Sequence, residues 1–128
     1  MKAKVTHIGI YTMDLERLKD FYVKYFDAKC NEKYVNSKGF SSYFLTFDSD
    51  VRVEIMGNTH LEYHPFQDLE SGMNHLAFSV GTKENVVALT KQLEADGYTV
   101  VSQPRTTGDG YYESKVSDPD GNSIEITE

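Results

Sequence analysis

The sequence lacks most of the features that mark secreted, membrane-bound or nucleic-acid-binding proteins. Its one cysteine, Cys30, cannot form an internal disulfide, which fits a reducing compartment. No apolar run approaches the roughly 20 residues that span a bilayer, and Met1 to Lys4 leads into a strand pattern rather than an apolar leader. Basic residues are few and scattered, 13 Lys and Arg against 20 Asp and Glu, so the formal charge is −7. We therefore expect a cytoplasmic protein that binds a small molecule, and neither nucleic acid nor a membrane.

The length of the chain sets the expected number of domains. A chain of 128 residues can bury a core without disulfides or a structural metal, so any metal that it binds is expected to be functional. We predict a single domain, 1–128, built from two similar modules. Module one covers about 4–58, a linker about 59–73, and module two about 74–128.

Each module is predicted to begin with a strand followed by a helix. Asp14 is a good N-cap for a helix over 14–27, in which apolar residues recur at three- and four-residue spacing. Thr82 caps a second helix, which ends before Gly97. Extended segments follow both helices, which predicts an α+β protein with the order β-α-β-β-β in each module. These segments are 40–47 and 51–56 in module one, and 98–102, 111–117 and 122–127 in module two.

A histidine in the first strand and a glutamate in the last strand recur in both modules. The pairs are His7 with Glu54, and His75 with Glu125. Because side chains alternate along a strand, each of the four lies opposite the apolar row that is expected to pack on the helix. Two imidazoles and two carboxylates suit a catalytic divalent ion, so we predict a metalloenzyme. Small residues on the same faces are expected to leave room for a substrate: Gly9, Ala77 and Ser79.

The remaining histidines and the cysteine are weaker candidates for a site. His60 and His64 are four residues apart, a spacing that would allow joint metal binding on a helix. Pro65 and the linker setting disfavour a helix there, so both histidines are predicted to be surface residues. Cys30 has no histidine near it in sequence, and a core or surface thiol is the better interpretation than a nucleophile.

The order His, Glu, His, Glu, together with the turn Asp118-Pro119-Asp120-Gly121 before the last glutamate, resembles a known family. The chain is identified as a member of the glyoxalase I, bleomycin-resistance and extradiol-dioxygenase (vicinal oxygen chelate) superfamily. The resemblance runs from His7 to Glu125. It implies two paired β-α-β-β-β modules that form a cupped mixed sheet, with the helices on its outer face. It also implies one divalent ion per site, Zn²⁺, Ni²⁺, Co²⁺ or Mn²⁺.

Glyoxalase I (lactoylglutathione lyase) resembles this chain best, because its four protein ligands correspond to the four residues named above. The resemblance implies a lyase or isomerase that acts on a thiol adduct of a 2-oxoaldehyde through an enediolate. It implies Glu125 as the principal base and Glu54 as the other catalytic carboxylate. It further implies a homodimer, with the site either within one chain or across the subunit boundary. The substrate contacts that it implies are Tyr11, Arg52, Asn58 and Arg105.

Several alternatives stay open at this point. Tyr11 stands where glutathione-dependent members usually have an arginine, so the thiol need not be glutathione. The same metal would also serve an epimerase, a thiol transferase acting on an antibiotic, or a dioxygenase. A protein that binds a drug without catalysis is a further alternative, which the retention of all four ligands disfavours.

Overall fold

The computed structural model describes residues 1–128 and separates them into two units. Met1–His64 contains module one, and Pro65–Glu128 contains module two. Each unit has one helix and one sheet that combines parallel and antiparallel pairing, which confirms the predicted α+β class. Neither helix is long and apolar enough to cross a bilayer.

Module one forms a five-stranded sheet with one helix. Its elements are β1 (His7–Tyr11), α1 (Leu15–Phe26), β2 (Lys29–Cys30), β3 (Tyr34–Val35), β4 (Phe40–Thr46) and β5 (Arg52–Asn58). The strand β1 pairs in parallel with β5, and β5 pairs antiparallel with β4, giving the order β1-β5-β4-β2 with β3 also on β4. The strands β2 and β3 have two residues each and were not predicted, because two residues are too few to show an alternating pattern.

Module two follows the predicted order β-α-β-β-β. Its elements are β6 (His75–Ser79), α2 (Lys83–Ala95), β7 (Val100–Thr106), β8 (Tyr112–Ser117) and β9 (Ser123–Thr127). The sheet has the order β6-β9-β8-β7, with β6 parallel to β9. The strand β7 extends further than predicted and includes Pro104, which is tolerated because β7 lies at the edge of the sheet. Turns but no helix connect β5 to β6.

Both helices begin at the predicted caps. The Asp14 carboxylate accepts a hydrogen bond from the Arg17 N–H, and the Thr82 hydroxyl accepts one from the Asn85 N–H. Gly97, with φ of 94°, follows the end of α2 in the left-handed region that a glycine adopts without strain.

The helices bury the apolar rows of their own sheets and so decide which face is left for a site. Leu18 and Tyr22 of α1 are buried with Ile55 of β5. In module two, Leu93 of α2 and Ile124 of β9 are fully buried. Since alternate residues of a strand point to opposite faces, the predicted ligands lie on the face turned away from each helix.

Candidate metal centre

His75 and Glu125 form the half-site of module two. They lie on the adjacent parallel strands β6 and β9, where His75 pairs in register with Ser123 and Ala77 with Glu125. The His75 Nε2 lies 3.2 Å from the Glu125 Oε2, and the two side chains are 37% and 19% exposed. The imidazole and the carboxylate therefore face one another on a partly open surface.

A short chain of hydrogen bonds orients the His75 ring. The Asn74 Nδ2 donates to the backbone oxygen of Asp68 at 3.0 Å and to its carboxylate at 3.1 Å. That places the Asn74 Oδ1 against the His75 Nδ1, at 2.8 Å. An amide oxygen can only accept, so the network assigns the ring proton to Nδ1. The His75 Nε2 is left with its lone pair directed toward Glu125, as in histidines that bind metals.

His7 and Glu54 form the half-site of module one, on the adjacent parallel strands β1 and β5. The His7 Nε2 lies 3.8 Å from the Glu54 Oε1. The Thr6 Oγ1 lies 2.9 Å from the His7 Nδ1 and forms a hydrogen bond with that ring nitrogen. The arrangement repeats that of module two with a wider gap between nitrogen and oxygen.

The donor atoms fit a divalent cation. In module two the His75 Nε2 and the Glu125 oxygen are both acceptors, so a cation between them favours their approach. Ligands about 2.1 Å from a metal and roughly 90–110° apart lie about 3.0–3.4 Å from each other. The separation in module two falls within this range, and the wider one in module one requires a small side-chain movement.

A buried hydroxyl beside His75 supports the same interpretation. The Ser123 Oγ is the one buried side-chain oxygen or nitrogen in the structure without a hydrogen-bond partner. Ser123 alternates with the core residue Ile124 and therefore lies on the face of Glu125. An orphaned buried hydroxyl is costly, and a polar ligand bound at this half-site would satisfy it.

Charged side chains surround the half-site of module two. Lys115 of β8 lies directly opposite Glu125, with its Nζ 4.0 Å from the Glu125 Oε1. Glu113 lies on the same face of β8, and Arg105 of β7 pairs with it in register. Burial, together with a hydrogen bond to Glu125, raises the pKa of the Glu113 carboxyl above its ordinary value.

Aromatic and apolar side chains surround the half-site of module one. Phe44 of β4 lies directly opposite Glu54, and its ring centroid is 5.4 Å from that of His7. The Arg52 guanidinium lies over the Phe44 ring, 4.4 Å from its centroid. The space expected beside Gly9 is occupied, because a Cβ there would approach the Met56 methyl group to 3.0 Å. The end of the flexible Met56 side chain therefore takes up part of the room that is expected beside Gly9.

The other predicted substrate contacts lie on the strands and turns around these half-sites. Tyr11 is at the end of β1 and is half exposed. Asn58 ends β5, and its Oδ1 accepts a hydrogen bond from the His60 N–H, so its amide oxygen stabilises the following turn. His60 and His64 are exposed, as predicted, and Cys30 is an exposed free thiol.

The structure brings the four predicted ligands together as two pairs, one in each module. No cluster of three or more His, Cys, Asp or Glu side chains is placed to hold a metal ion. The sequence reasoning missed the neighbours that position the pairs. Asn74 and Thr6 each precede a predicted histidine ligand in the sequence, so they could have been found from that position. Lys115 and Glu113 lie near Glu125 only because of the strand register, which the sequence pattern does not show.

Comparison with known proteins decides the family. The profile of the Glyoxalase/Bleomycin resistance protein/Dioxygenase superfamily matches residues 4–126. The chain belongs to this superfamily. Its members are mostly enzymes and typically bind a divalent metal ion.

Two relatives in Bacillus subtilis match the chain over most of its length. A probable trivalent organoarsenical cleaving enzyme is 29% identical over 127 residues, which cover 96% of this chain and 78% of that protein. An uncharacterized protein is 28% identical over 123 residues, which cover 94% of each.

Solved structures share the fold at low sequence identity. A glyoxalase/bleomycin-resistance/dioxygenase domain from Frankia has a TM-score of 0.84 at 16% identity and covers 99% of this chain and 98% of its own. Glyoxalase I from Zea mays has a TM-score of 0.80 at 22% identity over 97% of this chain. The match covers 44% of the maize chain, so this chain spans less than half of that protein.

Proposed function

We propose that His7, Glu54, His75 and Glu125 together ligate one divalent cation, Zn²⁺, Ni²⁺, Co²⁺ or Mn²⁺. We further propose that the protein isomerises a thiol adduct of a 2-oxoaldehyde, or a close α-hydroxycarbonyl compound, by proton transfer. One observation carries the proposal. In each module a histidine Nε2 faces a glutamate oxygen across a parallel strand pair, at 3.8 Å in module one and 3.2 Å in module two.

The donor set supports this chemistry. When bound, such an ion supplies Lewis-acid polarisation of the substrate oxygens, which acidifies the neighbouring C–H. The carboxylate of Glu125 accepts that proton and returns it to the adjacent carbon, as a general base and then a general acid. Asn74 holds His75 in the tautomer that ligates through Nε2. Tyr11, Arg52, Asn58 and Arg105 are the proposed substrate contacts.

Metal analysis tests the site. The purified protein should hold about one divalent ion per site, and His75→Ala should lower the affinity by more than the tenfold to hundredfold typical of lost outer-shell contacts. His60→Ala is the matched control, because His60 is an exposed histidine outside both half-sites. Equal metal content in the wild type and His75→Ala would refute the assignment.

The proposal includes a homodimer, whose site is formed either within one chain or from half-sites of two chains. Mixing His7→Ala with Glu125→Ala subunits distinguishes these arrangements. Recovery of metal binding and turnover in the mixture means that half-sites are shared between subunits, since each variant retains one intact pair. A monomer in analytical ultracentrifugation at micromolar concentration would rule out the dimer.

Cleavage of a trivalent organoarsenical is a second candidate, favoured by the 29% identity to the Bacillus subtilis protein. Trivalent arsenic is thiophilic and is bound best by paired thiolates, because soft centres prefer soft ligands. This chain has one cysteine, Cys30, and it is exposed on β2. The proton-transfer proposal is therefore better supported. Release of inorganic arsenite from a trivalent methylarsenical by the metal-loaded protein would favour organoarsenical cleavage over the proton-transfer reaction.

A further inference from the structure

The two glutamates of the proposed metal centre have different neighbours across the strand pair. In module one, Phe44 of β4 lies directly opposite Glu54 of β5. In module two, Lys115 of β8 lies directly opposite Glu125 of β9. The same strand pairing in the two modules therefore places an aromatic ring beside one carboxylate and an ammonium group beside the other.

The two oxygens of Glu125 face different groups. Its Oε2 lies 3.2 Å from the His75 Nε2, whereas its Oε1 lies 4.0 Å from the Lys115 Nζ. Lys115 is 25% exposed and Glu125 is 19% exposed, so water screens their attraction less than on an open surface. Lys115 is placed to draw one carboxylate oxygen away from the histidine.

Glu54 has no comparable neighbour. Its Oε1 faces the His7 Nε2, and the residue opposite it is Phe44, whose side chain has no hydrogen-bond donor. Arg52, the nearest basic residue on its strand, lies over the Phe44 ring. No strand neighbour therefore competes with a bound cation for the Glu54 oxygens as Lys115 does for Glu125.

We infer that Lys115 is a positioning residue that attracts the Glu125 Oε1 and makes Glu125, rather than Glu54, the carboxylate free to carry a proton. The inference rests on the proposed function, since it requires the cation site. A carboxylate shared between two cations is held less tightly by each of them. The other charged groups that face this pair are Glu113, which hydrogen-bonds Glu125, and Arg105 opposite Glu113.

Binding of Co²⁺ alone tests the inference, measured by competition with a chelator and by the visible absorption of the bound ion. Lys115→Met should raise the Co²⁺ affinity about tenfold, because a competing positive charge is removed close to the carboxylate. It should also change the absorption spectrum, since Glu125 then stays with the ion. Lys115→Arg keeps the charge and should restore both the affinity and the spectrum of the wild type.

Lys91→Met is the matched control, because it makes the same change in net charge at an exposed position of α2. It should leave Co²⁺ binding unchanged, and an equal rise in affinity in Lys91→Met would overturn the inference in favour of a net-charge effect. An unchanged or lower affinity in Lys115→Met, with His75→Ala still weakening binding, would overturn this inference alone. A wild-type protein that binds no Co²⁺ would overturn the proposed function and this inference together.

Discussion

The two modules repeat one strand frame but surround it with different chemistry. Each places a histidine and a glutamate on adjacent parallel strands, and in each the histidine Nδ1 is hydrogen-bonded to the side chain of the preceding residue. Around His7 and Glu54 lie Phe44 and Met56, whereas charged residues of β8 surround Glu125. The same strand pairing thus places a histidine beside a glutamate in both modules, whereas the neighbouring strands give the two carboxylates different surroundings.

The modules also attach their helices to their sheets differently. In module one, the Tyr43 hydroxyl of β4 donates to the Glu16 carboxylate of α1 at 2.9 Å, in a half-exposed cluster with Lys19. In module two, the Thr90 hydroxyl of α2 and the Ser114 hydroxyl of β8 meet at 2.7 Å, fully buried. The first attachment depends on an ionised group and the second does not, so their responses to pH should differ.

The largest expected effect separates the two glutamates. Glu125→Gln should retain much of the metal and lower turnover about a hundredfold or more, the scale of a lost positioned base. Glu54→Gln should instead act mainly through metal content. Deuterium exchange at the substrate C–H in heavy water, with methylglyoxal adducts of several thiols, measures the first effect, and elemental analysis measures the second. Equal loss of turnover at equal metal content would show that the two carboxylates are equivalent.

Removal of the group that orients each histidine should have the next largest effect. Asn74→Ala removes the acceptor that assigns the His75 tautomer and should weaken Zn²⁺ binding by about tenfold to a hundredfold. Thr6→Val should have a smaller effect, because a hydroxyl can rotate and fixes the tautomer less strictly than an amide oxygen. Chelator competition on both variants measures the difference. The prediction fails if Asn74→Ala leaves the affinity at the wild-type value.

The buried hydroxyl pair of module two predicts an asymmetric loss of stability. Thr90→Val leaves the Ser114 Oγ buried without its partner and should lower the free energy of unfolding by about 1–3 kcal/mol. Ser114→Ala should cost less, because the Thr90 hydroxyl still donates to the Val86 carbonyl oxygen at 2.6 Å. Urea unfolding at pH 7 measures both variants. Equal losses would contradict the arrangement in which Ser114 donates to Thr90 and Thr90 donates to Val86.

The smallest expected effect concerns acid stability in module one. The hydrogen bond from Tyr43 lowers the pKa of the Glu16 carboxyl below its ordinary value, so the interaction stabilises the fold above about pH 4.5 and is lost as the pH falls through the lowered value. Tyr43→Phe should therefore lower Tm slightly at pH 7 and have less effect at pH 3. Thermal scans at several pH values measure this change. A Tm difference that does not vary with pH would argue against the ion-dependent attachment.

Much of the fold follows from local patterns in the sequence. Asp14 and Thr82 predict the helix starts, because a side-chain oxygen before an apolar periodic stretch satisfies the first free N–H groups. The short strands β2 and β3 could not be predicted, since their pairing with β4 depends on where a distant strand lies. The contact of Met56 with the space beside Gly9 could not be predicted either, because it depends on the parallel pairing of β1 with β5.

The alternation of apolar residues is enough to predict the face on which each candidate ligand lies. Side chains alternate between the two faces of a strand. Glu54 lies between the buried Val53 and Ile55, so it points to the opposite face. Glu125 has the same position between Ile124 and Ile126. The groups that lie next to those carboxylates depend instead on how the strands pair in the folded protein. Lys115 and Phe44 become neighbours of Glu125 and Glu54 through strand register, which is set by pairing between segments separated along the chain and not by the pattern within either one.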